Sequence, residues 1–362
     1  MTTIRDVAKA CGVSVATVSG VLNNTPDAAG PETRERVWEM IRQMNYSPNA
    51  VARGLSHRRM NTIGVVMEYS GWGSLITDQH LGPIVDGIVN QNSRQRQKTL
   101  LYTDPWADAI RNIPAMSDGF CDGLLLIVPI VSDEFFIRLS ERRTPFVIIG
   151  DDRTEPGFSV VDLDNVDAGR QMTEHLIALG HKRIAMLRGH DDHRSSHLRA
   201  KGYIAALQEA GLPYDSTLDM PGEYYFESGS ERALEVLERS PHVRPTALFC
   251  GDDRIALGAL EALKARGVRV PEEMSVVGIN DSIEGSLREV PLTTLRQPGH
   301  EIGETAVTLL RAQITHEEDP GRKVVLPGKI IVRATSGPVQ FAAHKPVEPQ
   351  RNGPGSSPTW LL

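Results

Sequence analysis

The stretch that decides the N-terminal fold is TIRDVAKACGVSVATVSGVLNN, residues 3–24. Small apolar residues share one face of its first predicted helix: Val7, Ala8 and Cys11. Gly12 follows where a sharp turn needs a residue that tolerates positive φ. Ser14 is a favoured N-cap for a second helix over residues 15–22. The joint pattern predicts a helix-turn-helix, with an ordinary helical hairpin as the alternative.

The second helix of a helix-turn-helix enters the major groove of DNA. Val15, Ala16 and Gly20 are therefore predicted to face base edges. Valine and alanine can touch thymine methyl groups, but they cannot form paired hydrogen bonds with guanine or adenine. The polar residues predicted to contact DNA are Thr3, Ser14, Thr17, Ser19 and Asn23. Glycine costs about 1 kcal/mol relative to alanine inside a helix, so close approach to DNA is the one explanation the sequence offers for Gly20.

Charge is unevenly spread along the 362 residues, whose net charge is −7. Residues 1–60 hold eight lysines and arginines against five acids, a net +3, which leaves −10 for the rest. A basic head on an acidic body is typical of a protein that contacts phosphates with one end.

A second short segment, SPNAVARGL, covers residues 47–55. Its Ser-Pro start predicts a helix of about two turns, which is marginal in isolation and would form when held by a partner. Leu55 at its end has the character of a wedge that enters the minor groove and kinks DNA. A plain linker with one leucine is the alternative. The predicted DNA contacts here are Asn49, Ala52, Arg53 and Leu55.

From residue 62 onward, short apolar runs alternate with amphipathic segments. Buried strands are predicted over 63–67, 124–128, 146–149, 184–187, 247–250 and 275–279. Helices are predicted over 80–97, 165–179, 196–210, 228–238, 254–266 and 299–313. Alternating β and α units predict parallel, doubly wound sheets in an α/β fold, and about 275 residues are too many for one such sheet.

Four segments together resemble the lactose-repressor (LacI/GalR) family of bacterial transcriptional regulators: residues 3–24, ETRERV, NYSPNAVARGL and NTIGVV. The resemblance runs from Thr3 to about Gly337. The resemblance implies a homodimer on a partly palindromic DNA operator, with paired hinge helices in the minor groove. It also implies a core like that of periplasmic binding proteins, with two lobes and a ligand cleft between them. Gly20 departs from the family pattern, which favours a larger polar residue there, and the stretch 25–31 is longer than in some members.

The expected domains are a DNA-binding domain over 1–46, a hinge over 47–60, a core over 61–337 and a disordered tail over 338–362. Within the core, the N-lobe is expected over about 61–161 and 295–323, and the C-lobe over about 162–294 and 324–337. The tail lacks the leucine-rich helix that makes some family members tetramers, which favours a dimer.

Ligands of doubly wound folds sit beyond the carboxyl ends of the strands, so residues after strands are the effector candidates. The resemblance matches Arg199 and Asp253 to effector-binding residues, Tyr224 to a stacking aromatic and Gln297 to a polar residue at the lobe crossover. Trp72 is a candidate by position alone. Asp252 replaces an asparagine usual in the family. The alternative for each is helix capping or surface solvation.

Other classes find little support. No apolar run reaches membrane-spanning length, no signal-peptide core is visible, and three scattered cysteines indicate reduced thiols, all of which favours the cytoplasm. Histidines and aspartates at 190–193 with His197 match no standard metal site, and no catalytic motif or cofactor is expected.

The leading hypothesis is a transcriptional regulator, most simply a repressor, controlled by a small effector such as a sugar, a sugar acid or a nucleoside. The alternatives are a solute-binding protein for a sugar and an α/β enzyme acting on one.

Overall fold

The computed structural model describes residues 2–47, 59–68, 78–151 and 157–339. The predicted hinge helix and most of the predicted tail lie outside these residues, and so do Asn49, Ala52, Arg53, Leu55 and Trp72. No helix among the described residues is long and apolar enough to cross a membrane.

The N-terminal domain consists of helices α1 (Ile4–Cys11), α2 (Val15–Leu22) and α3 (Pro31–Gln43). Pro31 stands in the first turn of α3, where its missing N–H costs nothing. The buried core of the domain is Val7, Ala8, Cys11, Val18, Val21, Val37 and Ile41. The predicted helix-turn-helix is therefore confirmed, down to the bounds of α2.

The first lobe is built on a sheet with the order β11-β5-β4-β3-β1-β2. Its strands are β1 (Thr62–Met67), β2 (Lys98–Tyr102), β3 (Gly123–Ile127), β4 (Phe146–Ile149), β5 (Ser159–Leu163) and β11 (Lys323–Leu326). Its helices are α4 (Leu81–Arg94), α5 (Ala109–Met116), α6 (Asp133–Glu141) and α12 (Gly299–Ile314). The strands pair in parallel, and β3 is buried along its whole length.

The second lobe is built on a sheet with the order β12-β10-β9-β8-β6-β7. Its strands are β6 (Ile184–Leu187), β7 (Asp219–Met220), β8 (Ala247–Cys250), β9 (Ser275–Ile279), β10 (Thr293–Arg296) and β12 (Lys329–Ile331). Its helices are α9 (Phe226–Glu238), α10 (Asp253–Ala265) and α11 (Ile283–Ser286), together with α7 (Asn165–Ala178) beyond Ala168 and α8 (Arg194–Glu209) beyond Arg199. The first residues of α7 and α8 belong to the first lobe. The predicted α/β class with two doubly wound sheets is confirmed.

The boundaries differ from the expected ones at several places, since residues 162–168 and 191–199 also belong to the first unit and not to the second. β11 pairs in parallel with β5 of the first sheet, so residues 324–329 belong to the first lobe and not to the second. The compact units are accordingly Met1–Ala168 with Asp191–Arg199 and Arg296–Lys329, and the remainder. The sequence predicts a tail from residue 338, but the backbone N–H of Val339 donates to the carbonyl of Leu179 at 3.0 Å, which joins Val339 to the second lobe.

Candidate DNA-binding and effector-binding sites

The helix-turn-helix begins with a reciprocal cap at Thr3. The Thr3 hydroxyl oxygen accepts the backbone N–H of Asp6 at 3.4 Å, and the Asp6 carboxylate accepts the Thr3 backbone N–H at 2.9 Å. The hydrogen bond from the Thr3 backbone holds the pKa of the Asp6 carboxyl below its ordinary value. Thr3 thus has a structural task as the N-cap of α1, and its contact with DNA stays a prediction.

The turn before α2 has the predicted chemistry. Gly12 adopts a left-handed conformation with φ of +64°, and the Ser14 Oγ accepts the backbone N–H of Thr17 at 3.0 Å. At the other end of α2, the side-chain amide of Asn23 donates to the Ser19 hydroxyl at 3.4 Å. These polar residues therefore bracket α2, where they were expected to contact phosphates.

The two faces of α2 differ in the way that a DNA reader requires. Val18 and Val21 are fully buried in the domain core, whereas Val15 is 40% exposed and Ala16 is also exposed. An α-helix has 3.6 residues per turn, so positions 16 and 20 both lie on the side of α2 that faces away from the core. The structure leaves Val15 and Ala16 free of the core, as a base-reading role requires.

Packing within the N-terminal domain explains why residue 20 is a glycine. A Cβ built at Gly20 would collide with the Cβ of Ala28, in the loop that follows α2. The explanation offered from the sequence was close approach of DNA. The structure shows instead that Ala28 of the same chain leaves no room for a side chain here. The prediction that Gly20 faces base edges is corrected accordingly, because Ala28 occupies the space beside it.

The chain enters the first lobe through a defined contact. The backbone N–H of Met60 donates to the Asp122 carboxylate at 2.6 Å, and the backbone N–H of Asp122 donates to the carbonyl of Thr62 at 2.8 Å. Asp122 immediately precedes β3, so the amino end of this buried strand holds the segment that leads to the predicted hinge.

Arg199 is held in a buried chain of hydrogen bonds. It is 4% exposed, and its Nε donates to the Asn165 side-chain oxygen at 2.9 Å. The Asn165 amide donates in turn to the Asp162 carboxylate at 3.0 Å. Asp162 lies in β5 and Asn165 directly follows that strand. The guanidinium is therefore held at the carboxyl end of β5, and its contact with an effector stays a prediction.

A cavity of about 320 Å³ opens in the same unit. Residues 128–132 after β3, Gly150 and Asp151 after β4, and residues 192–194 line it. Val128 has a φ of +46°, a rare conformation for a β-branched residue and one that clusters at functional sites. The Arg194 Nε lies 3.5 Å from the Asp151 carboxylate, whose side chain is 8% exposed. Sequence patterns did not point to Arg194, because the histidines and aspartates around it suggested a comparison with metal sites instead.

Gln297 lies just after β10 in a partly buried position. Its amide nitrogen is 3.5 Å from the Nδ1 of His80, which precedes α4. The position after a strand agrees with the expectation from the sequence, and its effector contact stays a prediction.

Asp253 does not have the surroundings of a ligand-binding residue. It is 0% exposed, and its carboxylate accepts the Ser282 backbone N–H at 2.7 Å and the Thr294 hydroxyl at 2.6 Å. Burial raises the pKa of this carboxyl despite these bonds. Asp253 ties α10 to β10 and to the residue before α11, so the predicted sugar contact is corrected to a structural role.

Asp252 and Asn280 form the polar pair at the carboxyl edge of the second sheet. Asp252 caps α10 by accepting the Arg254 backbone N–H at 2.6 Å, and it accepts the Asn280 amide at 2.6 Å. Asn280 and Asp281 have φ values of +124° and +57°, and such left-handed residues cluster at binding sites. Asn280 was not among the candidates predicted from the sequence. Its position in an Asn-Asp pair directly after a predicted strand could have indicated it.

Tyr224 packs its ring against the backbone at Gly189, which follows β6. A Cβ at Gly189 would collide with the ring, so the glycine is needed for this contact. Beside it, the His190 Nε2 lies 3.6 Å from the Glu223 carboxylate. Tyr224 is therefore placed at the carboxyl end of β6, and its stacking on an effector stays a prediction.

The histidine-rich stretch has its own contacts. The His197 Nε2 lies 2.7 Å from the backbone oxygen of Asp191, and His193 lines the cavity of the first lobe. Within the described ranges, no group of three or more histidine, cysteine, aspartate and glutamate side chains is arranged to hold a metal ion.

Both the N-terminal domain and the two-lobed core are similar to known proteins. A family model described as bacterial regulatory proteins, lacI family, matches residues 3–49, and one described as a periplasmic binding protein-like domain matches residues 173–336. The transcriptional regulator CelR of Thermobifida fusca is 35% identical over 91% of this chain and 97% of its own length. The chain belongs to the LacI family of bacterial regulatory proteins.

A further relative and two solved structures give the same family assignment. The regulator DegA of Bacillus subtilis is 30% identical over 93% of this chain and 99% of its own length. Among solved structures, a lac repressor dimer bound to operator and the anti-inducer ONPF superposes with a TM-score of 0.80 at 27% identity, covering 93% of this chain and 99% of that one. A complex of CelR with cellobiose gives 0.72 at 33% identity, covering 93% and 100%.

Membership in the family makes the chain a DNA-binding transcriptional regulator under small-molecule control. The family predicted from residues 3–24 and the later motifs is confirmed. The alternative of a solute-binding protein is not favoured, because that class has no use for the helix-turn-helix.

Proposed function

We propose that this regulator is a repressor that binds a partly palindromic operator as a homodimer and releases or tightens it when a sugar or sugar-like effector binds. The observation that carries the proposal is the buried, pre-oriented Arg199 at a strand end, in a chain that begins with a confirmed helix-turn-helix. A guanidinium fork grips hydroxyl oxygens and carboxylates alike.

The effector class is proposed from the residues at the two sheets' carboxyl edges. Arg199 and Arg194 offer donors in the first lobe, and Asp252 with Asn280 offers a carboxylate and an amide in the second. A polyhydroxylated ligand both donates and accepts hydrogen bonds, so its chemistry suits either set. The complex of the relative CelR with cellobiose supports a carbohydrate.

Exposed apolar side chains on each lobe support the dimer. Leu287 and Ile283, at α11 in the second lobe, are 79% and 76% exposed, the largest values for big apolar residues in the described part of the chain. In the first lobe, Leu100 and Leu101 are 39% and 43% exposed on the edge strand β2. Exposed apolar patches and open sheet edges are typical of protein interfaces.

The experiment starts from the full chain and random duplex DNA, from which bound sequences are selected and aligned. An inverted repeat is expected. A melting-temperature screen with cellobiose, glucose, ribose and gluconate then identifies the effector, because a ligand at 100 times its Kd adds about 2.7 kcal/mol of stability. Recovery of no preferred duplex, with or without these ligands, would contradict the proposal.

A further inference from the structure

The loop between α2 and α3 lies on the outward side of the reading helix. Gly20 is on the face of α2 turned away from the buried Val18 and Val21. The contact that forbids a side chain at Gly20 comes from Ala28. The loop therefore covers part of the surface that a helix-turn-helix presents to DNA.

Several hydrogen bonds fix this loop in place. The backbone N–H of Thr25 donates to the Gly20 carbonyl at 2.9 Å, and that of Ala28 donates to the Thr25 carbonyl at 3.4 Å. Arg34 of α3 donates from its Nε to the Ala29 carbonyl at 3.0 Å and from its Nη2 to the Thr25 carbonyl. One guanidinium thus fastens both ends of the loop segment that carries Ala28.

Apolar side chains contribute to the outward surface of α2 and of the loop. Val15 is 40% exposed and Ala16 is exposed. Ala28 is partly exposed, and its Cβ lies in the space that a side chain at position 20 would need. In the major groove, the apolar feature that tells one base pair from another is the C5-methyl group of thymine.

We propose that Ala28 is a third base-reading residue, which joins Val15 and Ala16 in recognising thymine methyl groups, and that Arg34 is the residue that positions it. The proposal rests on the proposed operator binding and deepens it. Its partner is a B-form duplex with thymines at defined positions in each half-site. Two departures from the family pattern, the glycine at position 20 and the longer loop, then have one common cause.

The test replaces single thymines by deoxyuridine in the selected operator, because deoxyuridine keeps the base pairing and lacks only the methyl group. Affinity is measured by fluorescence anisotropy with the full chain. Removing one buried methyl is worth about a fourfold loss of affinity. We expect such losses at separate thymines for Val15, Ala16 and Ala28.

The variant Ala28→Gly is expected to abolish the deoxyuridine effect at one thymine per half-site and to leave it intact at the others. Arg34→Lys keeps the charge but not the fork, and is expected to weaken the effect at that same thymine. Arg36→Lys, the same change on an exposed position of α3, is the matched control and should leave the whole pattern unchanged.

Gly20→Ala gives an independent variant if Ala28→Gly does not fold. It must displace Ala28, so it too is expected to erase the effect at that one thymine. The proposal is overturned if wild type binds its operator specifically but the variants at Ala28, Arg34 and Gly20 change the loss of affinity caused by deoxyuridine at no thymine. Failure to select any operator would instead count against the proposed function.

Discussion

Arg199 and Arg194 place guanidinium groups in the first lobe, whereas Asp252 and Asn280 place a carboxylate and an amide at the carboxyl edge of the second sheet. Each group is held by partners of its own lobe: Arg199 by Asn165, and Asp252 by Asn280 and the first turn of α10. One lobe is thus prepared to donate hydrogen bonds and the other mainly to accept them. The difference teaches that two lobes of similar topology present different hydrogen-bonding chemistry at the ends of their strands.

The largest effect is expected from Arg199→Ala. Hydrogen bonds that involve a charged group are worth about 1.5–3 kcal/mol, so effector affinity should fall by up to about 100-fold while operator affinity without effector is unchanged. Calorimetric titration of the effector measures the first and anisotropy the second. Arg199→Lys is the control for charge. Wild-type effector affinity in Arg199→Ala would remove this residue from the donor set.

A loss of stability, not of ligand binding, is expected from Asp253→Ala. The change leaves the Ser282 N–H and the Thr294 hydroxyl without their buried acceptor, at about 2 kcal/mol of unfolding free energy. Urea unfolding measures this loss. The effector Kd of the folded variant should match that of wild type, and a large rise in that Kd would restore Asp253 to the acceptor set of the second lobe.

A smaller change in effector affinity is expected from Asp252→Asn. Asparagine still caps a helix, so the fold is kept while a charged acceptor becomes neutral, which is worth about 1 kcal/mol or about fivefold in Kd for a neutral sugar. A sugar acid should instead bind more tightly to this variant, because a like charge is removed. Equal affinity of both ligand types for wild type and variant would break the comparison of donor and acceptor edges.

The smallest effect concerns pH and the second lobe. His181 is 2% exposed and lies within hydrogen-bond distance of the Thr246 and Ser275 hydroxyls and the Gly337 carbonyl. Burial lowers the pKa of this imidazole below its ordinary value of 6.5, so below that pH the unfolded chain binds more protons than the folded one. Stability should therefore fall as the pH drops from 7 to 5, by at most about 1.4 kcal/mol per pH unit.

Melting temperatures of wild type and His181→Gln across this pH range measure the contribution. The variant should start lower but lose less on acidification. His175 is a partly buried histidine whose pKa is also lowered by burial, so part of the slope should remain. Identical slopes would show that His181 does not titrate differently on folding.

Local chemistry explains what the sequence could predict. Gly12, Ser14 and Pro31 act through their own backbone or a neighbour within three residues, so the helix bounds around them could be read from the chain. Arg199 was matched to an effector-binding residue by the family resemblance, and its place early in a helix after a strand agrees with a ligand site beyond the strand ends.

Long-range packing explains what the sequence could not predict. The need for Gly20 depends on Ala28, across a loop whose path is set by Arg34 of the next helix. The neighbours Asp252 and Asp253 have different hydrogen-bond partners. Thr294 of β10 and Ser282 donate to the Asp253 carboxylate, whereas Asn280 donates to that of Asp252. The pairing of β11 with β5 likewise joins segments about 160 residues apart.

The most direct measurement is the operator affinity of wild type and Arg199→Ala by fluorescence anisotropy, each with and without a saturating amount of the ligand found in the melting screen. We expect the ligand to change the operator Kd of wild type by at least about tenfold, within the usual range of allosteric coupling, and to leave that of the variant at the ligand-free value. An equal change in both proteins at the same half-saturating concentration would contradict control through the Arg199 site.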